Sequence, residues 1–139
     1  MCRLDSARQL TMMGALGTRS AVALDLDNDG DVDLVTNEFN GRPQVLISDL
    51  AQRHPVHFLK VRLRGGLGAE VTVVLPGGRR ILKVNDGKSG YLSQSDLPLY
   101  FGLGDADHAE SIEVRWPSGR RQTMSGPFKA GGTYFFQSL

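Results

Sequence analysis

Nine consecutive residues, Asp25-Leu26-Asp27-Asn28-Asp29-Gly30-Asp31-Val32-Asp33, carry five carboxylates and only two apolar side chains. Two carboxylates about 5 Å apart repel by roughly 3 kcal/mol at an effective dielectric of about 20. An ordered turn holding several such pairs therefore needs something positive among them. The spacing D-x-D-x-D-G-x-x-D brings alternate side chains toward one centre, and the glycine takes the sharp turn that a branched residue resists. That pattern suits a hard cation bound through oxygen. Its expected ligands are the side chains of Asp25, Asp27, Asp29 and Asp33, with the backbone carbonyl of Asp31 completing the shell. Calcium fits better than magnesium, which dehydrates reluctantly and rarely sits in an all-protein cage. The alternative is a solvated acidic turn without an ion.

An EF-hand loop needs a bidentate Glu at its twelfth position, and here that position is Thr36. The flanks are also wrong for helix–loop–helix. Ala21-Val22-Ala23-Leu24 before the loop and Val32 to Thr36 after it are short and β-branched-rich, so they read as strands. The site is expected on a strand–loop–strand hairpin.

With 139 residues the chain has room for one domain or two small ones. Its 17 glycines point to many tight turns and an all-β chain. A net charge of +1 argues against a nucleic-acid partner held by charge. The charge is unevenly placed: residues 1–52 carry 4 Lys/Arg against 8 Asp/Glu, and residues 53–139 carry 12 against 7. A boundary near Arg53-His54-Pro55 accounts for that shift. Cys2 is the single cysteine, so no internal disulfide forms and the thiol reads as loose. No apolar run approaches the ~20 residues of a membrane span, and Met1-Cys2-Arg3-Leu4-Asp5 lacks the apolar core of a signal peptide. The chain reads as soluble; an exported parent would have lost its exporting segment.

Residues 6–19 give only a poorly defined strand or turn. After the acidic hairpin, Asn40-Gly41 is a turn signal and Gln44 to Ser48 a third strand. From Val56 the pattern is regular. Phe58, Lys60, Arg62 and Arg64 alternate with Leu59, Val61 and Leu63, as in a half-buried strand. Ala69 to Leu75 and Arg80 to Val84 flank the Pro76-Gly77-Gly78 turn. Leu97 to Phe101, Ser111 to Trp116, Arg120 to Met124 and Thr133 to Gln137 are further strands, and the one helical turn is expected near Asp105 to Ala109. Short strands spaced by turns point to an antiparallel β-sandwich or partial barrel rather than βαβ units.

Ala21 to Val35 resembles the FG-GAP repeat, the calcium-loop hairpin of integrin-type propellers. Gly66-Leu67-Gly68-Ala69, the run Gly87 to Ser95, Phe101-Gly102-Leu103-Gly104 and Val114-Arg115-Trp116-Pro117-Ser118-Gly119, in that order, resemble the ASPIC/UnbV domain. Arg64 runs almost directly into Gly65-Gly66-Leu67-Gly68, where that family usually has a longer polar insertion. The resemblance implies an extracellular or periplasmic interaction or adhesion role, and a C-terminal fragment of a larger secreted protein. Only one FG-GAP repeat is recognisable, and a lone repeat cannot bury its sheet faces by stacking on neighbours. The part before residue 53 is therefore expected to pack on the rest, to pair with another chain, or to stay partly disordered.

Other chemistry is thin. His54, His57 and His108 lack companions at zinc spacing. Ser89, Ser93 and Ser95 lack a G-x-S-x-G elbow and read as backbone caps. Gly87-Lys88-Ser89 lacks the upstream glycine and following helix of a phosphate loop, and Phe101-Gly102-Leu103-Gly104 reads as a strand end with two turn glycines. Tyr91, Tyr100 and Trp116 are candidates for a sugar-binding platform, against the plainer role of filling a core. The pairs Arg79-Arg80 and Arg120-Arg121 suit either one basic edge or solvated hairpin tips. An acid/base pair of Asp86 and Asp96 is the remaining enzymatic reading, with nothing in the sequence to set a second group beside either.

The expectation is an all-β chain. Residues 1–52 form a single FG-GAP-like repeat with a structural calcium site, and residues 53–139 form an ASPIC/UnbV-like β domain. Its function is non-enzymatic interaction, with a carbohydrate-binding module as the alternative. Its protein or glycan partner is not specified by the sequence, no nucleic acid or membrane insertion is expected, and unpaired strands leave a homo-oligomer open.

Overall fold

The computed structural model describes residues 2–4, 10–12, 17–88 and 91–138. Strands β1 (Cys2–Leu4) and β2 (Leu10–Met12) form an antiparallel pair. The ill-defined stretch after them, with residues 13–16, lies partly outside the described residues, as do Ser89 and Gly90.

The acidic hairpin forms as expected from its flanks. β3 (Thr18–Leu24) and β4 (Asp33–Glu38) pair antiparallel with Val22 opposite Val35 and Leu24 opposite Asp33, and β5 (Gln44–Leu46) adds on the far side of β4. Asn40 turns the chain between β4 and β5 with a left-handed φ of 54°. A short helix, α1 (Leu50–Arg53), then leads to the second part of the chain. Its position corrects the expectation of a helical turn near Asp105 to Ala109, where a tight turn runs directly into a strand at His108.

Seven strands follow: β6 (His57–Arg64), β7 (Glu70–Val74), β8 (Arg80–Val84), β9 (Leu99–Gly104), β10 (His108–Arg115), β11 (Arg121–Lys129) and β12 (Thr133–Gln137). They make two sheets, β11-β10-β7-β8 and β12-β6-β9. Inward residues of both sheets meet in one core. Leu59, Val61, Val71, Val73, Phe101 and Ile112 are completely buried there, and Phe128 and Phe136 close it. This is the β-sandwich the alternation predicts, with one departure: β12 joins β6 in parallel, Tyr134 opposite Val61. Phe101-Gly102-Leu103-Gly104 is the end of β9, as expected, but only one of its two glycines turns the chain. Phe101 and Leu103 point inward from β9, and only Gly104 takes a left-handed φ.

Trp116 sits in this core at 2% exposure, beneath the turn after β6. A side chain at Gly66 would place its Cβ 2.7 Å from Leu63 Cβ and 3.1 Å from Trp116 Cζ3, so the turn needs glycine for close approach. By contrast, no residue of β3, β4 or β5 belongs to the core cluster. Three buried polar residues on β4, Asp33, Thr36 and Glu38, occupy that sheet instead, and Glu38 Oε1 accepts hydrogen bonds from the hydroxyls of Thr18 and Thr36, each at 2.7 Å.

Adjacent phenylalanines on β12 test the alternation, since Phe136 is 2% exposed and Phe135 70%. Phe136→Ala is expected to cost about 3–5 kcal/mol and Phe135→Ala about 0.5 kcal/mol or less. Gly66→Ala, which overpacks Leu63 and Trp116, is expected to cost about 1–3 kcal/mol. Urea unfolding of the three variants measures all of these; equal losses for the two phenylalanines would refute the assigned faces of β12.

Candidate metal centre

The loop between β3 and β4 is built by its own carboxylates. Asp27 Oδ1 accepts the Asp29 amide at 3.3 Å and Asp29 Oδ1 accepts the Asp31 amide at 3.1 Å, each a two-residue turn of the kind aspartate favours. Asn28 and Gly30 take left-handed φ values of 62° and 100°. Gly30 meets a second constraint: a Cβ there would come 2.6 Å from Cε1 of the Phe58 ring.

The five aspartates do different things. Asp33 accepts the Leu26 amide on Oδ2 and the Ser48 amide on Oδ1, both at 2.8 Å, and so ties the loop's start to the end of β5. Asp31 Oδ2 accepts the Ala51 amide of α1 at 2.8 Å. Both residues are almost completely buried, at 1% and 2% exposure. Asp25, Asp27 and Asp29 each bring one carboxylate oxygen to a common centre, with the three oxygens within 4.8 Å of one another. Two oxygens have no hydrogen-bond partner although they are buried, Asp25 Oδ1 and Asp31 Oδ1. Buried carboxylate oxygens are ordinarily satisfied, so a cation is a fitting partner for the Asp25 oxygen beside Asp27 and Asp29.

The electrostatics agree with crowding. The Asp31 amide's hydrogen bond pulls the Asp29 carboxyl down, but desolvation and the neighbouring Asp31, Asp27 and Asp25 outweigh it and leave the group raised. The second Asp25 oxygen, Oδ2, is answered from the sandwich. Lys60 Nζ on β6 lies 2.8 Å away, and these two side chains are 14% and 2% exposed. The Asp25 amide also donates to the Tyr100 hydroxyl at 3.3 Å. Lys60 and Tyr100 are directly opposite in the β6–β9 ladder, and the ammonium stands 5.2 Å from the ring centres of both Phe58 and Tyr100. The loop therefore touches the sandwich, through Asp25 on Lys60 and Tyr100 and through Gly30 at the Phe58 ring. The sequence singles out Tyr100 for a sugar platform rather than for this loop, and it gives Lys60 no site role, although the alternation of β6 sets Lys60 apart from the inward Leu59 and Val61.

The remaining candidates do not come together. Trp116 is buried and offers no ring face to a sugar, which corrects its place in a platform with Tyr91 and Tyr100. Tyr100 is committed to the acidic loop, while Tyr91 is 69% exposed. Asp86 and Asp96 line one open depression of about 530 Å³ with Lys88 and Ser95. There the Asp96 carboxylate, 92% exposed, lies 3.3 Å from Arg62, and Asp86 accepts the Lys88 amide. Ser95 Oγ accepts the Leu97 amide, as a capping serine does. Of the histidines, His108 pairs with Asp107, and that hydrogen bond holds the Asp107 carboxyl low. On the outer face of the four-stranded sheet Arg80 of β8 pairs with Glu113 of β10, and Arg115 of β10 with Glu70 of β7.

The ASPIC and UnbV family model matches residues 62–134. Among curated proteins, the chain is similar to cartilage acidic protein 1 of Xenopus tropicalis, 36% identical over 115 residues, 78% of this chain and 18% of that protein. Cartilage acidic protein 1 of Homo sapiens is 35% identical over 114 residues (76% and 17%), and that of Mus musculus 34% over 110 residues (75% and 17%). The chain thus spans less than a fifth of the length of these relatives. No solved structure matches it.

The division of labour among the aspartates predicts unequal effects of truncation in metal-free buffer. Asp33→Ala abandons two amides and is expected to destabilise by about 1–3 kcal/mol. Asp29→Ala gives up one amide hydrogen bond but also removes an exposed, repelled carboxylate, and is expected to cost less than Asp33→Ala. Thermal unfolding in chelator distinguishes them, and equal effects would contradict the assignment of Asp33 as the brace.

Proposed function

The chain belongs to the ASPIC and UnbV family, and from that premise we propose a non-enzymatic extracellular interaction module whose acidic hairpin holds a structural calcium ion. The observation that carries the metal reading is the convergence of Asp25, Asp27 and Asp29 oxygens within 4.8 Å beside a buried, unpartnered Asp25 Oδ1. Asp25, Asp27 and Asp29 would hold the ion, with the Asp31 carbonyl and Asp33 as further donors. Asp33 can serve only while keeping its two amide bonds, which a carboxylate's four lone-pair sites allow. When bound, the ion supplies positive charge that fixes the hairpin; it takes part in no reaction.

In this reading residues 1–52 are an FG-GAP-like repeat and residues 53–139 the ASPIC/UnbV-like domain. The similarity to cartilage acidic protein 1 supports an extracellular setting and an adhesive or interaction role. Among the described residues no helix is long and apolar enough to cross a membrane. The sugar-binding alternative loses its main support with Trp116 in the core.

Loops of this type in extracellular modules bind calcium at about 10⁻⁴–10⁻³ M. Calcium at about 10 mM is then expected to stabilise the fold by about 1.4–2.7 kcal/mol, a rise in Tm of about 4–10 °C. Asp27→Ala is expected to abolish the rise, and magnesium to produce less of it. Calorimetric melting measures both, and a Tm indifferent to calcium would refute the metal reading.

A further inference from the structure

The Asp25 carboxylate is divided between two neighbours. Oδ2 meets the Lys60 ammonium at 2.8 Å, whereas Oδ1 is buried without a hydrogen-bond partner, and one oxygen of this carboxylate converges with those of Asp27 and Asp29. Lys60 does not belong to the hairpin. It projects from β6 of the sandwich, its head near the Phe58 and Tyr100 rings and its side chain only 14% exposed. The same carboxylate that would ligate the metal therefore also fastens the hairpin to the neighbouring sheet.

We propose that Lys60 is a tethered counter-cation of the acidic loop, which shares Asp25 with the divalent ion, so that loading the loop with metal weakens its hold on the sandwich. This inference rests on the calcium reading. A divalent ion held by this carboxylate and an ammonium on its Oδ2 are a few ångströms apart and repel across a side chain only 2% exposed. Linkage makes the effect reciprocal: whatever Lys60 takes from metal affinity, bound metal takes from the Lys60–Asp25 contact. The lysine thus keeps the metal-free hairpin docked and sets the calcium level at which the joint slackens.

The test is calcium titration by calorimetry on the wild-type chain, Lys60→Met and Lys60→Arg. Methionine keeps an apolar stem and a sulfur that packs well against Phe58 and Tyr100, while arginine keeps the charge. Lys60→Met is expected to bind calcium about tenfold more tightly at low ionic strength, with the gap shrinking as salt is added. Lys60→Arg is expected to stay within about twofold of wild type, because its charge is unchanged. In the wild-type chain, mass spectrometry after amine acylation is expected to show Lys60 more reactive with calcium than without, a readout that survives if Lys60→Met folds poorly. Saturable calcium binding that is equal or weaker in Lys60→Met, or Lys60 labelling unchanged by saturating calcium, would overturn this proposal and leave the metal reading standing. No saturable binding by wild type or Lys60→Met would overturn the metal reading and this inference together.

Discussion

Like charge confined to a short turn is the constraint from which the rest follows. Five aspartates between positions 25 and 33 share one loop, and the loop orders only because most of their oxygens are matched individually. Asp33 gives both oxygens to the amides of Leu26 and Ser48 and Asp31 gives one to the amide of Ala51, and these charge-assisted hydrogen bonds offset part of the cost of burying them. Asp25 meets a lysine from another sheet. Asp27 and Asp29, left to solvent, are the pair with charge still to neutralise. A loop that looks uniformly acidic is thus graded, from carboxylates committed to distant amides at its C-terminal end to exposed ones in its middle.

That grading also explains how the two parts of the chain are joined. The sandwich has an apolar core drawn from both its sheets, whereas β3, β4 and β5 contribute nothing to it. A three-stranded sheet without a core of its own needs an outside contact. The acidic loop supplies one, with Gly30 against the Phe58 ring and Asp25 between Lys60 and Tyr100. Gly30 is doubly determined, by its left-handed φ and by the ring that occupies the space of a side chain.

What the sequence discloses follows the range of the interaction. Alternation along Phe58 to Arg64 fixes the faces of β6, because period two survives whatever the strand packs against. The acidic spacing discloses a turn, and of the four side chains expected to converge, Asp25, Asp27 and Asp29 come together while Asp33 is taken up by two amides. The braces were not legible. The Asp31–Ala51 and Asp33–Ser48 bonds span 20 and 15 residues, and α1 draws on such a bond: its N-cap residue, Asp49, makes no side-chain cap. The parallel placement of β12 beside β6 is likewise a property of topology, which no local pattern encodes. Trp116 misled for a related reason: an aromatic residue beside a turn suits either a platform or a plug, and only the close packing beneath Gly66 decides for the plug.

The nature of the joint decides what it can do. A buried ion pair gives little net stability, because desolvating both partners offsets their attraction, yet removing either partner leaves an uncompensated charge. The Lys60–Asp25 contact accordingly specifies one docking of the hairpin more than it strengthens it, since any other arrangement strands a carboxylate that is 2% exposed. An apolar joint of the same size would be indifferent to ions. This one is made of carboxylates and an ammonium, so charge brought near the loop bears on the Lys60–Asp25 contact in a way that an apolar joint would not feel.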